Sequence, residues 1–183
     1  MKVGILGAGA LGSLLAAYLT RSQAAEAVWL LARSPRPGTV TVDDWMVPVT
    51  VVHEPVEPVD LLIVLVKSYD TRAALAWADR AIGQGSILLT LQNGLGNAEV
   101  LAERVGPGRV LAGTTALGAR LVEPGRVSLG GVGETVIAPW GIAGQDAQVL
   151  GVEASGAGAG ALADGLETPA EGPGASTARL AAS

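Results

Sequence analysis

The chain has no cysteine, no phenylalanine and a single histidine, His53, in 183 residues. The first absence excludes disulfides and thiolate metal sites, and one imidazole cannot build a histidine cluster. A metal would need an all-oxygen site, and no dense carboxylate loop is present in the sequence. Positive charge is scarce too: 12 Lys plus Arg stand against 17 Asp plus Glu, a formal net charge of −5. A general nucleic-acid binder needs a basic face to neutralise phosphates, so this balance argues against one. No apolar run reaches the ~18 residues that span a bilayer. The apolar start, Met1 to Gly7, reads as a buried strand rather than a signal peptide, because the glycine pattern after it has its own explanation. The expectation is a soluble cytoplasmic protein with no membrane and no nucleic-acid partner.

What the chain does have is Ala, Val, Leu and Gly; hydrophobic residues make up 49% of it. Small and branched side chains suit helices packed on a sheet. Lys2 to Leu6 reads as a buried parallel strand. A helix is predicted from Ala10 to Arg21, with Leu11, Leu14, Leu15, Tyr18 and Leu19 at helical spacing. Ala27 to Ala32 is a second strand, and the three pieces make one βαβ unit. Thr39 to Val42 and Val47 to Val52 are β-branched, lie between prolines and read as a short hairpin excursion. Then follow a strand at Val59 to Val66, a helix at Asp70 to Ile82 with Ala73, Ala74, Trp77 and Ala81 on its buried side, and a strand at Ser86 to Leu91. A helix at Gly96 to Val105 and a strand at Arg109 to Gly113 complete the alternation. Leu117 to Val122, Arg126 to Leu129 and Glu134 to Ala138 read as antiparallel pieces, joined by Glu123-Pro124-Gly125 and Gly130-Gly131. The expected class is α/β: a Rossmann-type, mostly parallel sheet with helices on both faces, followed by antiparallel hairpins, over residues 1–140. Residues 141–183 read as a low-complexity tail. Just over half of residues 151–183 are Gly or Ala, which bury too little to offset their ordering entropy.

Gly7-Ala8-Gly9-Ala10-Leu11-Gly12 has the spacing G-x-G-x-x-G. Alone the pattern is weak, but here it follows a strand and opens a helix inside a βαβ unit. Gly7 permits the tight turn, Gly9 lets the backbone approach a pyrophosphate, and Gly12 lets helix and strand pack closely. The helix start then offers free N–H groups to the phosphates. The second strand ends at Ala32-Arg33-Ser34, where NAD enzymes usually carry Asp or Glu for the ribose hydroxyls. Arg33 instead pairs with the extra phosphate of NADP, and Arg36 is placed to assist. NADP is therefore expected over NAD.

Two rare residue types mark the same crevice. Lys occurs only at Lys2 and Lys67, and Asn only at Asn93 and Asn97. Lys67 follows the strand Leu61 to Val66, and Asn93 follows the strand Ile87 to Leu91. Ligands bind open parallel sheets at the carboxyl ends of their strands, so Gly7, Lys67 and Asn93 are expected to converge. Asn97 is expected to cap the next helix or simply to be exposed.

Together these residues resemble the ketopantoate reductase (2-dehydropantoate 2-reductase) family. The matching elements are Gly7 to Gly12, Leu-Ala-Arg33, Val-Lys67-Ser, Gln92-Asn93-Gly94-Leu95-Gly96 and Gly113-Thr114-Thr115, with Ala119 at a family cofactor-contact position. The resemblance implies NADPH-dependent reduction of a 2-keto acid on the way to pantothenate. By it, Gly7, Ala8, Gly9, Ala10, Leu11 and Gly12 hold the pyrophosphate and Arg33 the 2′-phosphate. Lys67, Asn93 and Ala119 lie along the cofactor and the substrate edge, and a homodimer is compatible with the sequence.

The family places its catalytic lysine, and further substrate-binding Asn and Glu residues, in a following helical domain. This chain has no Lys after Lys67 and no Asn after Asn97. Lys67 and Asn93 are then the nearest catalytic candidates, with Lys67 expected to serve position and charge rather than proton donation. The tail reads as a truncated or frameshifted end. Three readings stay open: a ketopantoate-type reductase, a non-catalytic NADP-binding remnant, and another nicotinamide-dependent 2-hydroxy or 3-hydroxy acid dehydrogenase.

Overall fold

Lys2–Leu6 (β1) is buried at every position after its lysine, as a central strand covered on both faces must be. A computed structural model describes residues 1–141 and 150–153. After β1 come helix α1 (Ala10–Ser22), β2 (Ala27–Leu31), β3 (Thr39–Val42), β4 (Trp45–Pro48), β5 (Thr50–Val52) and β6 (Val59–Val64). Then follow α2 (Thr71–Trp77), β7 (Ile82–Thr90), α3 (Asn97–Val105), β8 (Val110–Thr115), β9 (Gly118–Glu123), β10 (Arg126–Gly131), β11 (Glu134–Pro139) and β12 (Leu150–Glu153).

Eight strands form the main sheet in the order β12-β11-β8-β7-β6-β1-β2-β5. β5, β2, β1, β6, β7 and β8 run parallel, and β11 returns antiparallel to β8. Strand order reverses between β1 and β6, the topological switch point at which such sheets open a crevice. Alternation along each strand feeds two cores. Val3, Ile5, Leu61, Ile63 and Leu89 meet Leu14, Leu15 and Leu19 of α1 on one face. Leu6, Leu62, Val64 and Leu88 meet Leu75 of α2 and Leu101 of α3 on the other. Each such side chain contributes about 1.5–3 kcal/mol by leaving water.

A second sheet, β4-β3-β10-β9, covers α1 from outside. Val40, Val42 and Val127 belong to the same core as α1. That explains why Gly12, Ser13, Ala16 and Ala17 are buried along with the leucines. A helix packed on two sides loses its polar face.

The sheet and helices match the sequence reading in class, and several elements differ in detail. The run Val47 to Val52 is divided: β4 closes a hairpin on β3, and β5 leaves it to pair with β2 in the main sheet. Buried Val49, whose N–H bonds the Gly38 carbonyl at 2.9 Å, is the joint. The helix expected over Asp70 to Ile82 is α-helical only to Trp77, with 3₁₀ turns at Ser68–Asp70 and Asp79–Ala81. Of the expected buried residues Ala74 and Ala81 are buried and Trp77 packs beside them, together with Thr71, Leu75 and Ala78, while Ala73 faces solvent. Gly130-Gly131 does not turn a hairpin: β10 stays in the second sheet and β11 crosses to the main one. Past the expected boundary at residue 140, β12 adds one more strand to the main sheet. The rest of the expected tail, residues 142–149 and 154–183, lies outside the described residues.

Candidate functional site

The crevice begins at Gly7, whose φ of +120° suits glycine and few other residues. A Cβ there would stand 2.9 Å from the Val66 nitrogen, so the turn lies directly against the chain leaving β6. A Cβ on Gly12 would overlap the Gly7 carbonyl oxygen, so helix and turn touch through backbone alone. Gly9 differs from both. Its φ of −81° and ψ of −167° are open to any residue, and a Cβ on it would meet nothing within 4 Å. It borders empty space rather than protein. No side chain caps α1 and no acid lies in its first turn. The N–H groups that start the helix therefore lack an intrahelical partner, and an anion beside Gly9 fits them.

The chain segments leaving β6 and β7 are stapled together. Gln92 Nε2 donates to the Val66 carbonyl at 2.6 Å and to Thr71 Oγ1 at 2.9 Å. Ser68 Oγ donates to the Asn93 carbonyl at 3.0 Å. Asn97 Nδ2 donates to the same carbonyl at 3.1 Å and to that of Gly94 at 3.2 Å. Asn97 is thus buried and holds the loop from inside; it neither caps α3, whose N-cap is Gly96, nor faces solvent. Asn93 itself needs no left-handed backbone, which falls on Gly94 and Gly96.

This bracing leaves Lys67 and Asn93 exposed at the rim, and among the described residues Lys67 makes no ion pair. Gly7, Lys67 and Asn93 lie at the carboxyl ends of three adjacent strands, as expected. Arg33 follows β2, next in the row, exposed and outside the ion pairs of the described residues. Arg36 donates to the Pro35 carbonyl at 3.1 Å through Nη1, while its Nε is buried without an acceptor. His53, just past β5, donates from Nδ1 to the Ala32 carbonyl at 2.8 Å. Ala119 stands apart from the row. It lies on β9 in the second sheet, opposite Leu129, and packs on the α1-side core. Gly113 sits on β8, where a Cβ would press on Leu91 at 2.8 Å. Thr115 Oγ1 pairs with Thr135 Oγ1 at 2.6 Å and ties β8 to β11.

The sequence reading missed what Gln92, Ser68, Thr71 and Asn97 do. Gln92 lies inside the quoted motif, but its bond to Val66 spans 26 residues and leaves no local pattern.

A glycine turn at the switch point of an open parallel sheet is the layout of Rossmann-type nucleotide-binding domains, and that is the class of this fold. Sequence comparison is narrower. Residues 3–141 match the family described as Ketopantoate reductase PanE/ApbA, and the chain belongs to that family. It is 41% identical over 171 residues to a 2-dehydropantoate 2-reductase of Halobacterium salinarum, covering 85% of this chain and 54% of that one. A 2-dehydropantoate 2-reductase from Geobacter metallireducens superposes with a TM-score of 0.69 at 28% identity, over 79% of this chain and 51% of that one. A D-mandelate dehydrogenase, solved with NADH and anilino(oxo)acetate, gives 0.61 at 26% identity, over 72% and 46%. The chain spans about half the length of the curated relatives it matches. Among the described residues no helix is long and apolar enough to cross a membrane.

Proposed function

We propose that residues 1–140 are the dinucleotide-binding part of an NADPH-dependent 2-dehydropantoate 2-reductase, which reduces the 2-keto acid to pantoate in the cytoplasm. The carrying observation is the row Arg33, Gly7, Lys67 and Asn93 at the carboxyl ends of four adjacent strands of a chain with named 2-dehydropantoate 2-reductases among its relatives. The bound cofactor supplies a hydride. The chain's own residues bind and orient. Gly7 to Gly12 receive the pyrophosphate on the uncapped start of α1, and Arg33 pairs with the 2′-phosphate, where a carboxylate would repel it. Lys67 lends positive charge near the carboxylate and developing alkoxide of the substrate, and the Asn93 carboxamide hydrogen-bonds along the cofactor. For Ala119, on β9 in the second sheet, the cofactor contact rests on the family resemblance alone.

The test is a pair of fluorescence titrations with NADPH and NADH. NADPH is expected to bind more tightly, and Arg33→Ala to cost it about 1.5–3 kcal/mol, as for a charge-assisted contact. Equal affinity of the parent for both cofactors would overturn the role of Arg33.

One observation favours a second reading for the 183-residue polypeptide: no lysine follows Lys67. The family resemblance puts the proton donor later in the chain, so this polypeptide is expected to bind NADPH without turnover. Steady-state NADPH oxidation with 2-dehydropantoate decides: a background rate supports binding alone, and a robust rate assigns Lys67 more than position.

A further inference from the structure

The end of β2 gathers more positive charge than one arginine. Arg33 and Arg36 follow it, and no ion pair among the described residues uses either. β5 is the edge strand beside β2. Backbone bonding continues past the strands: the Ala32 N–H donates to the Val52 carbonyl at 3.1 Å. The next residue on the β5 side is His53, the only histidine of the chain. Its ring crosses the end of β2 and bonds the Ala32 carbonyl, the oxygen of the peptide that leads into Arg33. A carbonyl only accepts, so Nδ1 carries a proton. In the neutral ring Nε2 is then a lone pair, and it becomes a second N–H donor only when the ring is protonated.

We propose that His53 is a further specificity-determining residue, whose protonated ring joins Arg33 in binding the 2′-phosphate of the cofactor. The inference rests on the dinucleotide-binding reading above. Only the protonated ring has a second N–H to donate, so His53 makes the NADPH preference depend on pH. The charged groups around it are Arg33 and Arg36 on the segment after β2 and Glu54 on its own; β2 itself, Ala27–Leu31, carries none.

The test measures NADPH and NADH dissociation constants for the full chain at pH 6.5 and pH 8.5, before and after His53→Gln. The NADPH preference of the parent is expected to be about fivefold larger at pH 6.5, as suits an exposed charge pair. In His53→Gln it is expected to stay flat or fall, with NADH affinity unchanged. The 2′-phosphate loses charge toward pH 6, which works in the opposite direction. A preference that grows toward acid therefore comes from the protein. A preference that changes with pH in the same way in the parent and in His53→Gln overturns the role of His53 alone. No NADPH preference at either pH removes the whole phosphate subsite, Arg33 included.

Discussion

Gly9 and Gly12 carry the same letter in one motif and meet opposite surroundings. A methyl at Gly12 runs into the Gly7 carbonyl, and a methyl at Gly9 enters empty space. Gly12→Ala is accordingly expected to destabilise the fold by about 1–3 kcal/mol through overpacking, read as a lower urea midpoint. Gly9→Ala is expected to stay within about 1 kcal/mol of the parent, the range of an N-cap change, while losing affinity for NADPH. If both variants lose stability equally, the space beside Gly9 is not a ligand's. Gln92 makes a third case. Gln92→Leu strands the Val66 carbonyl and the Thr71 hydroxyl, at a cost of about 1–3 kcal/mol. It is also expected to weaken NADPH binding, although Gln92 sits under the rim rather than on it. At this scale the sequence named Lys67 and Asn93, which the fold brings to the ends of adjacent strands, because rare polar types at strand ends stand out. The braces behind them stayed hidden, because their partners lie in other loops.

The same division holds for the elements. β1, α1, β2, β6 and α3 were legible, since each keeps one period and one neighbour on either side. The run from Val47 to Val52 was not: a β-branched stretch shows strand propensity but not a change of partner in its middle. Helix α1 was found from one apolar stripe, yet it is buried almost all round. The second sheet that covers it comes from two distant segments. Val127, fully buried in that cover, is expected to cost about 1.5–3 kcal/mol when cut to alanine. Tyr18 of α1 meets Trp45 of β4 with ring centroids 5.7 Å apart, and Arg21 stacks on the same indole at 4.5 Å. Burial, and then the Asp43 carboxylate, push the Tyr18 phenol above its ordinary value. The unfolded phenol therefore ionises first. The stability Tyr18 adds is whole below about pH 10 and is lost as pH rises through the folded value. Alkaline unfolding curves of Tyr18→Phe are expected to lie flatter above pH 10 than those of the parent; coincident curves would remove Tyr18 from the account.

Across the whole molecule, every residue assigned to the cofactor lies between Gly7 and Ala119. A chain ending at Glu153 is therefore expected to keep its NADPH affinity. One ending at Gly141 also loses β12 and bares the edge of β11, which invites pairing with other chains. Light scattering on the two truncations is expected to separate them, with association confined to the shorter. Loss of affinity in a folded, monomeric chain ending at Glu153 would place part of the site beyond it.

The second sheet has a further consequence, in time rather than in space. Its central pair, β3 and β10, is parallel, and the Asp43 side chain accepts from the Leu129 N–H across 86 residues of sequence. A ribosome finishes β3 and β4 long before it reaches β9 and β10. Until then half of the cover over α1 does not exist, and the valines of β3 wait beside an open helix. Contacts this far apart in sequence slow folding, because a long loop must close before any of them forms. Closure of the second sheet over α1 is then expected to be a late event in refolding, read as Val127→Ala speeding unfolding more than it slows folding. Until it closes, the face of α1 that this sheet covers is expected to stay open to association with other chains.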